Sequence, residues 1–267
     1  MATFLTTRVT CPVEAFLSAI DLTLVELGLC LVAVSAGAFL KGYTGFGASM
    51  LWVTSLSLVL PPLQVVPMVL MFEVATSIYL FPGLWRKVEW KSIAVLLIGT
   101  WATTPIGIYA LSSLPPAPIR IALGLVVITA AILILRGFAL RRIPGTPTTL
   151  AIGGTAGLLN GSMGIVGPPV ILFYFSSPIG VAIGRASIIT YFIGTDSVAT
   201  VMFAGQGLIS TEVLWRTLSF LPLLLVGVAV GNRGFLETDP ATFKKIALLV
   251  LMALSIALLV RAVWALV

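Results

Sequence analysis

The chain has 267 residues, of which 59% are hydrophobic and only 9% are charged, and its mean hydropathy is +1.16. These values lie far from those of soluble proteins and predict a single integral membrane domain, residues 1–267, surrounded by membrane lipid. The net charge of +6 does not come from a basic surface on a soluble domain, because no polar segment is long enough to form one. We therefore attribute the excess of Lys and Arg to the membrane topology and exclude nucleic acid as a partner. The absence of histidine excludes serine–histidine catalysis and imidazole metal sites, and we expect no metal and no cofactor.

Ten apolar segments follow one another along the chain, five in each half. They are 24–40, 48–60, 65–81, 93–111 and 119–135 in the first half, and 149–159, 165–175, 188–204, 213–230 and 246–266 in the second. A basic stretch with proline and glycine, 136–147, joins the halves and is typical of a surface connection. The predicted fold is therefore an all-α integral membrane protein built from two repeats, roughly 22–136 and 148–267.

The distribution of basic residues predicts how the repeats are oriented. An odd number of segments per repeat inverts the second copy relative to the first. Ten crossings then place only Arg8, Arg120, Arg216 and Arg261 on one side and the other eleven basic residues on the opposite side. Because Lys and Arg concentrate in cytoplasmic loops, this bias favours inverted-topology repeats with both termini outside. The first two segments of each repeat are short for a crossing of about 20 residues, so we expect a broken or re-entrant helical hairpin, with full crossing as the alternative.

A glycine-rich break interrupts the apolar sequence at the same place in each repeat. The first break runs from Lys41 to Ser49 and the second from Asn160 to Pro169. Helix ends at such a break leave backbone N–H groups unpaired and favour an anion, and paired breaks in two halves point to a transport site. The alternative is close helix packing by small residues, as the four-residue spacing of Gly153, Gly157 and Gly161 also indicates. The candidate substrate-binding residues are Lys41, Gly42, Thr44, Gly45, Gly47, Ser49, Asn160, Gly161, Ser162, Gly164 and Gly167.

Ionisable residues inside the apolar segments are the second functional signal. Glu73 and Asp196 lie near the centres of the segments that follow the breaks. Intramembrane acids are usually functional, and desolvation disfavours their charged form, so we predict that both couple transport to protons; a structural polar contact is the alternative. Lys41 could bind an anionic substrate and pair with Glu73 when the site is empty, or it could be a loop lysine. Arg185 is interpreted as a cytoplasmic anchor, with a gate residue on the substrate path as the alternative.

At these residues the sequence resembles the sulfite exporter TauE/SafE family of membrane transporters, over nearly the whole chain. The resemblance rests on the length, the two similar halves and the paired breaks, which contain Gly42, Gly45 and Gly47 in the first and Gly161, Gly164, Gly167, Pro168 and Pro169 in the second. It implies a multi-pass transporter of the bacterial cell inner membrane. The implied substrates are sulfur-containing anions such as sulfite, sulfoacetate or other organosulfonates.

Three functions remain in competition. The leading one is a secondary transporter, acting as an exporter, that moves a small anion by alternating access with protons as the candidate coupling ion. The second is a passive anion channel. The third is an intramembrane aspartyl-type protease using Asp196 and Glu73, but the motif around Asp196 lacks the second glycine of such enzymes, so we do not expect an enzyme. The transport direction and any oligomer stay open.

Overall fold

The computed structural model describes residues 23–113 and 144–239, together with single helical positions between 242 and 260. As predicted for an all-α protein, the described residues form helices and no strands. The α-helices in 23–239 are α1 Leu24–Thr44, α2 Ala48–Leu56, α3 Pro62–Leu80, α4 Trp90–Ser113, α5 Thr146–Met163, α6 Gly167–Ser176, α7 Val181–Gly205 and α8 Thr211–Glu237. Two short 3-10 turns, Phe81–Gly83 and Trp85–Lys87, connect α3 to α4.

Five of the described helices are long and apolar enough to cross a membrane. They are α1, α3 with the turn that follows it, α4, α7 and α8. The helices α2 and α6 contain only 9 and 10 residues. This confirms the predicted multi-pass membrane class. The predicted segment 119–135 and most of 246–266 lie outside the described residues.

The helices on either side of each break differ in length from the prediction. The helix α1 continues through Gly42 to Thr44, and α5 continues through Gly161 to Met163, so the first arms have 21 and 18 residues. The chain leaves the helix only at Gly45 and Gly164, where φ is +84° and +64°. In both places the N–H of the glycine closes the helix by donating to the carbonyl four residues earlier, at 2.8 Å and 2.7 Å. Positive φ is a conformation that glycine adopts without steric penalty, so the breaks begin at these two residues.

Gly42 and Gly161 were expected to belong to the breaks but lie one turn before them, because each packs against the backbone of another helix. A Cβ atom on Gly42 would collide with the Val228 carbonyl oxygen on α8, and a Cβ on Gly161 would collide with the Thr104 carbonyl oxygen on α4. Gly153 and Gly157 face α4 in the same way. The small-residue packing that was the alternative interpretation therefore holds for these glycines.

The packing of the helices follows a regular scheme. The helix α1 packs along α8, α4 packs along α5, and α3 packs against α7. Glycines lie on both sides of the two long contacts, since Gly231 of α8 faces the Phe39 carbonyl of α1 and Gly107 of α4 faces the Leu158 carbonyl of α5. Each contact therefore joins a helix of the first half to a helix of the second half at close distance.

We expect Gly42→Ala and Gly161→Ala to destabilise the fold by about 1–3 kcal/mol or more, because the added methyl group has no space between two rigid backbones. The matched control is Gly28→Ala in the same helix α1, where nothing lies within 4 Å of an added Cβ. That control should be neutral or slightly stabilising, since alanine favours helix. Thermal unfolding of the purified variants in detergent measures the difference. Equal unfolding temperatures for Gly42→Ala and Gly28→Ala would contradict the packing.

Candidate functional site

A buried ion pair lies beside the first break. Lys41 is in the last turn of α1 and is 0% exposed, and its Nζ atom forms an ion pair with Oε2 of Glu73 on α3, which is 2% exposed. The same Nζ lies 4.0 Å from the centroid of the Phe192 ring on α7. Lysine and arginine are rarely buried in a membrane protein unless they are paired. Lys41 therefore has a charged partner on one helix and an aromatic face on another.

The second oxygen of the Glu73 carboxylate reaches the beginning of α2. Oε1 accepts a hydrogen bond from the Ser49 backbone N–H at 3.1 Å. Gly47, with φ of +79°, lies directly before α2, and only three residues separate the end of α1 from the start of this short helix. Unpaired N–H groups at a helix start favour negative charge. The Glu73 carboxylate thus lies between a buried ammonium group and a helix N-terminus, which is the position where the sequence predicts an anion.

The second break has the same backbone geometry as the first, but the polar side chains beside it are different. Asn160 precedes Gly164 by four residues, as Lys41 precedes Gly45, and its Nδ2 group donates to Asp196 Oδ1 and to Thr195 Oγ1, both at 3.1 Å. The remaining oxygens, Asn160 Oδ1 and Asp196 Oδ2, are buried and find no hydrogen-bond partner among the described residues. Among the described residues no cation forms an ion pair with Asp196.

The helix that follows the second break also differs from α2. Pro168 and Pro169 occupy its first turn, and proline has no backbone N–H. The start of α6 therefore offers fewer donors to an anion than the start of α2 does. As a result, the carboxylate beside the first break contacts a cation and a backbone N–H group. The carboxylate beside the second break contacts a neutral amide, and an oxygen of each group stays unpaired among the described residues.

The other predicted site residues serve the breaks themselves. The hydroxyl groups of Thr44 and Ser162 donate to the carbonyls of Leu40 and Leu158, at 2.8 Å and 2.7 Å, inside their own helices. Gly167 begins α6. Gly45 lies against Ile189 of α7, and Gly164 lies against Val66 of α3. The breaks therefore contact α3 and α7, the helices that carry Glu73 and Asp196.

Arg185 was interpreted as a surface anchor, yet it lies in the interior. It is 1% exposed, and its Nη2 atom donates to the Gly42 carbonyl and to Asn232 Oδ1 of α8, the second at 3.0 Å. Its guanidinium carbon lies 3.9 Å from the centroid of the Phe235 ring. Four residues of the site were not predicted from the sequence: Asn232, Phe235, Thr195 and Phe192. Asn232 is a lone amide next to an apolar run, which was the only signal for it.

Long apolar helices, paired breaks and ionisable groups in the interior together are typical of a multi-pass membrane transporter. The chain belongs to the sulfite exporter TauE/SafE family, whose family model matches residues 29–258. It is 28% identical over 249 residues to a protein of Cupriavidus necator named "Probable sulfite/organosulfonate exporter TauE", covering 91% of this chain and 97% of that protein. It is also 28% identical over 195 residues to "Probable inner membrane transporter protein TsaS" of Comamonas testosteroni, covering 72% of this chain and 81% of that protein. No solved structure gives a significant match.

The family membership confirms the predicted resemblance. The protein is a multi-pass transporter of the inner membrane rather than an enzyme, as expected. The intramembrane protease is thereby excluded as a function. The substrate-binding and proton-coupling roles of individual residues stay predictions.

Proposed function

We propose that the protein is a secondary transporter that exports small sulfur-containing anions, such as sulfite or sulfoacetate, by alternating access with proton coupling. The name of the Cupriavidus necator relative, a sulfite/organosulfonate exporter, supports this substrate class. The observation that carries the proposal is the position of the Glu73 carboxylate, which Lys41 and the Ser49 N–H hold at the first break. A sulfonate or sulfite group is a compact anion with several acceptor oxygens, so it can use the same two partners.

The same position supports coupling to protons. A substrate anion reaches Lys41 and Ser49 only when the charge on Glu73 has been removed or has moved away, because two negative charges at one site repel each other. Protonation of Glu73 removes the competing charge. Binding of the anion and binding of a proton are then linked by the site itself. The two cross the membrane in the same direction, and net export follows the combined gradients of the anion and the proton.

Asp196 is the second place for a proton in this proposal. Its Oδ2 atom and the neighbouring Asn160 Oδ1 are buried, and no group in the described part of the chain forms a hydrogen bond with either of them. A proton on Asp196 would supply the missing donor for one of these oxygens. Because Asn160 stands where the first repeat has Lys41, Asp196 has no counter-charge from its own break.

The helix contacts support the proposal of an inverted repeat and, with it, of alternating access. The contact of α1 with α8 corresponds to the contact of α5 with α4, and α3 contacts its counterpart α7. Equivalent glycines cap α1 and α5, and Gly45 contacts α7 as Gly164 contacts α3. We propose that the two breaks are related by a two-fold axis between α3 and α7. Each break would then control access to the site from one side of the membrane.

Counterflow tests this function in liposomes that contain the purified full-length chain. We expect uptake of radiolabelled sulfite or sulfoacetate to saturate and to be stimulated by unlabelled anion inside the liposomes, because a carrier returns faster when loaded. Liposomes without protein are the control. Flux that rises linearly with concentration, follows voltage and is not stimulated from the opposite side would indicate the channel instead. No flux of either anion would contradict the substrate class.

A further inference from the structure

Among the described residues, only neutral groups hold the buried Arg185 guanidinium group. It forms no ion pair with any of them, and its Nη2 atom donates to the oxygens of Gly42 and Asn232. Its Nε atom is buried and has no hydrogen-bond partner within 23–113 and 144–239. A buried charge without a counter-charge is costly in a protein and in a membrane. Within the part of the chain that the structure describes, the arrangement therefore lacks an anion that would compensate Arg185.

Arg185 also lines a cavity of about 230 Å³ at the ends of α3, α7 and α8. Lys87 lines the same cavity and is exposed, whereas Arg185 is 1% exposed, so the cavity extends from the surface to a buried arginine. None of the described residues that line it is acidic. Its volume exceeds several-fold the roughly 30 Å³ of a water molecule, so it has room for a small organic anion.

Arg185, which lines the cavity, also contacts the first break. A Cβ atom on Gly45 would lie 2.9 Å from Cγ of Arg185, so the arginine side chain lies directly against the residue that ends α1. The Nη2 atom bonds to the carbonyl of Gly42, which follows Lys41 in the chain. Phe235 covers one face of the guanidinium group, so an anion would approach the edge that carries the N–H groups.

We infer that this cavity is an entry site for the transported anion, in which the Arg185 guanidinium group binds the sulfonate or sulfite oxygens before they reach Lys41. The inference rests on the proposed function and adds a second substrate subsite to it. The exposed basic residues Arg86, Lys87 and Arg233 lie at this end of the helices and favour the cytoplasmic side. An exporter receives its substrate from that side.

Protection of a cysteine in the cavity tests the subsite. In a full-length chain with Cys11→Ser and Cys30→Ala, Ala182→Cys places one thiol on the cavity wall, where Ala182 is exposed. The rate of its reaction with N-ethylmaleimide is measured with increasing sulfoacetate. We expect sulfoacetate to slow labelling. Arg185→Gln should raise the sulfoacetate concentration that halves the labelling rate by at least about tenfold, since hydrogen bonds to a charged group are lost. Lys87→Gln removes the same charge at the exposed end of the cavity and should change this concentration by less than about threefold.

The chain that retains Arg185 gives the decisive result, because Arg185→Gln removes a buried group and could impair folding. If sulfoacetate does not protect Ala182→Cys in the chain that retains Arg185, while that chain transports sulfoacetate, the cavity is not an entry site and the proposed function stands. Protection that depends on Arg185 in a chain without sulfoacetate flux supports the entry site and contradicts the proposed transport of this anion. Equal protection in folded Arg185→Gln overturns the role of Arg185, and partial recovery in Arg185→Lys supports it. Absence of both protection and flux contradicts both proposals.

Discussion

Replacing Lys41 with methionine is expected to lower sulfoacetate transport at least about 100-fold, because the substrate loses the buried cation that compensates its charge. The variant should also lose about 3–5 kcal/mol of stability, since Glu73 stays behind as an unpaired buried carboxylate. Initial rates of uptake into proteoliposomes measure the first effect, and unfolding in detergent measures the second. Lys91→Met removes an exposed lysine and is the matched control, with both quantities expected to stay near those of the unmodified chain.

The double variant Lys41→Met with Glu73→Met separates the two effects. Apolar residues that replace both members of a buried ion pair are often neutral for stability, so unfolding should return close to that of the unmodified chain. Transport should stay absent. A double variant that transports sulfoacetate at the original rate would show that the pair is structural and that the substrate binds elsewhere.

Replacing Asp196 with asparagine is expected to weaken proton-driven accumulation of the anion. The amide cannot take up or release a proton, while its oxygen can still accept the hydrogen bond from Asn160. With the voltage held at zero, each proton that moves with the anion drives up to about tenfold accumulation per pH unit, which corresponds to 1.36 kcal/mol. In Asp196→Asn the accumulation ratio should therefore fall by up to about tenfold, because only Glu73 is left to carry a proton, although counterflow at equal pH continues.

The control for this variant is Glu212→Gln, which neutralises an exposed acid in the first turn of α8 and should keep the full accumulation ratio. Both variants are compared with the unmodified chain in proteoliposomes that carry a pH gradient of one unit. Undiminished accumulation in Asp196→Asn would contradict a coupling role for Asp196. Coupling would then have to use Glu73 alone.

The sequence was sufficient for the membrane class and for the possible pairing of Lys41 with Glu73, because charged residues inside apolar segments stand out. It was not sufficient for the ends of the helices. Gly42 looks like a helix breaker, but in the fold it lies against the Val228 carbonyl of α8, and a contact so distant in the chain is not visible in the sequence. The helix therefore continues for one turn beyond the predicted end.

Arg185 was misplaced for a related reason. The apolar segment was predicted to begin at residue 188, which put Arg185 at the surface, but α7 begins at Val181 and carries Arg185 into the interior. Apolar character marks the part of a helix that faces lipid, whereas the residues from Gly184 to Ser187 are buried by protein. The different chemistry of the second break is easier to read from the sequence, because Pro168 and Pro169 have no backbone N–H and so remove two donors from the start of α6.

Binding of radiolabelled sulfoacetate to purified Glu73→Gln shows whether the Glu73 carboxylate occupies the position of the substrate anion. If it does, the variant binds sulfoacetate more tightly than the unmodified chain, by about tenfold or more at neutral pH, because the competing carboxylate is gone and Lys41 is free. Binding that is unchanged or weaker in Glu73→Gln would contradict this position of Glu73.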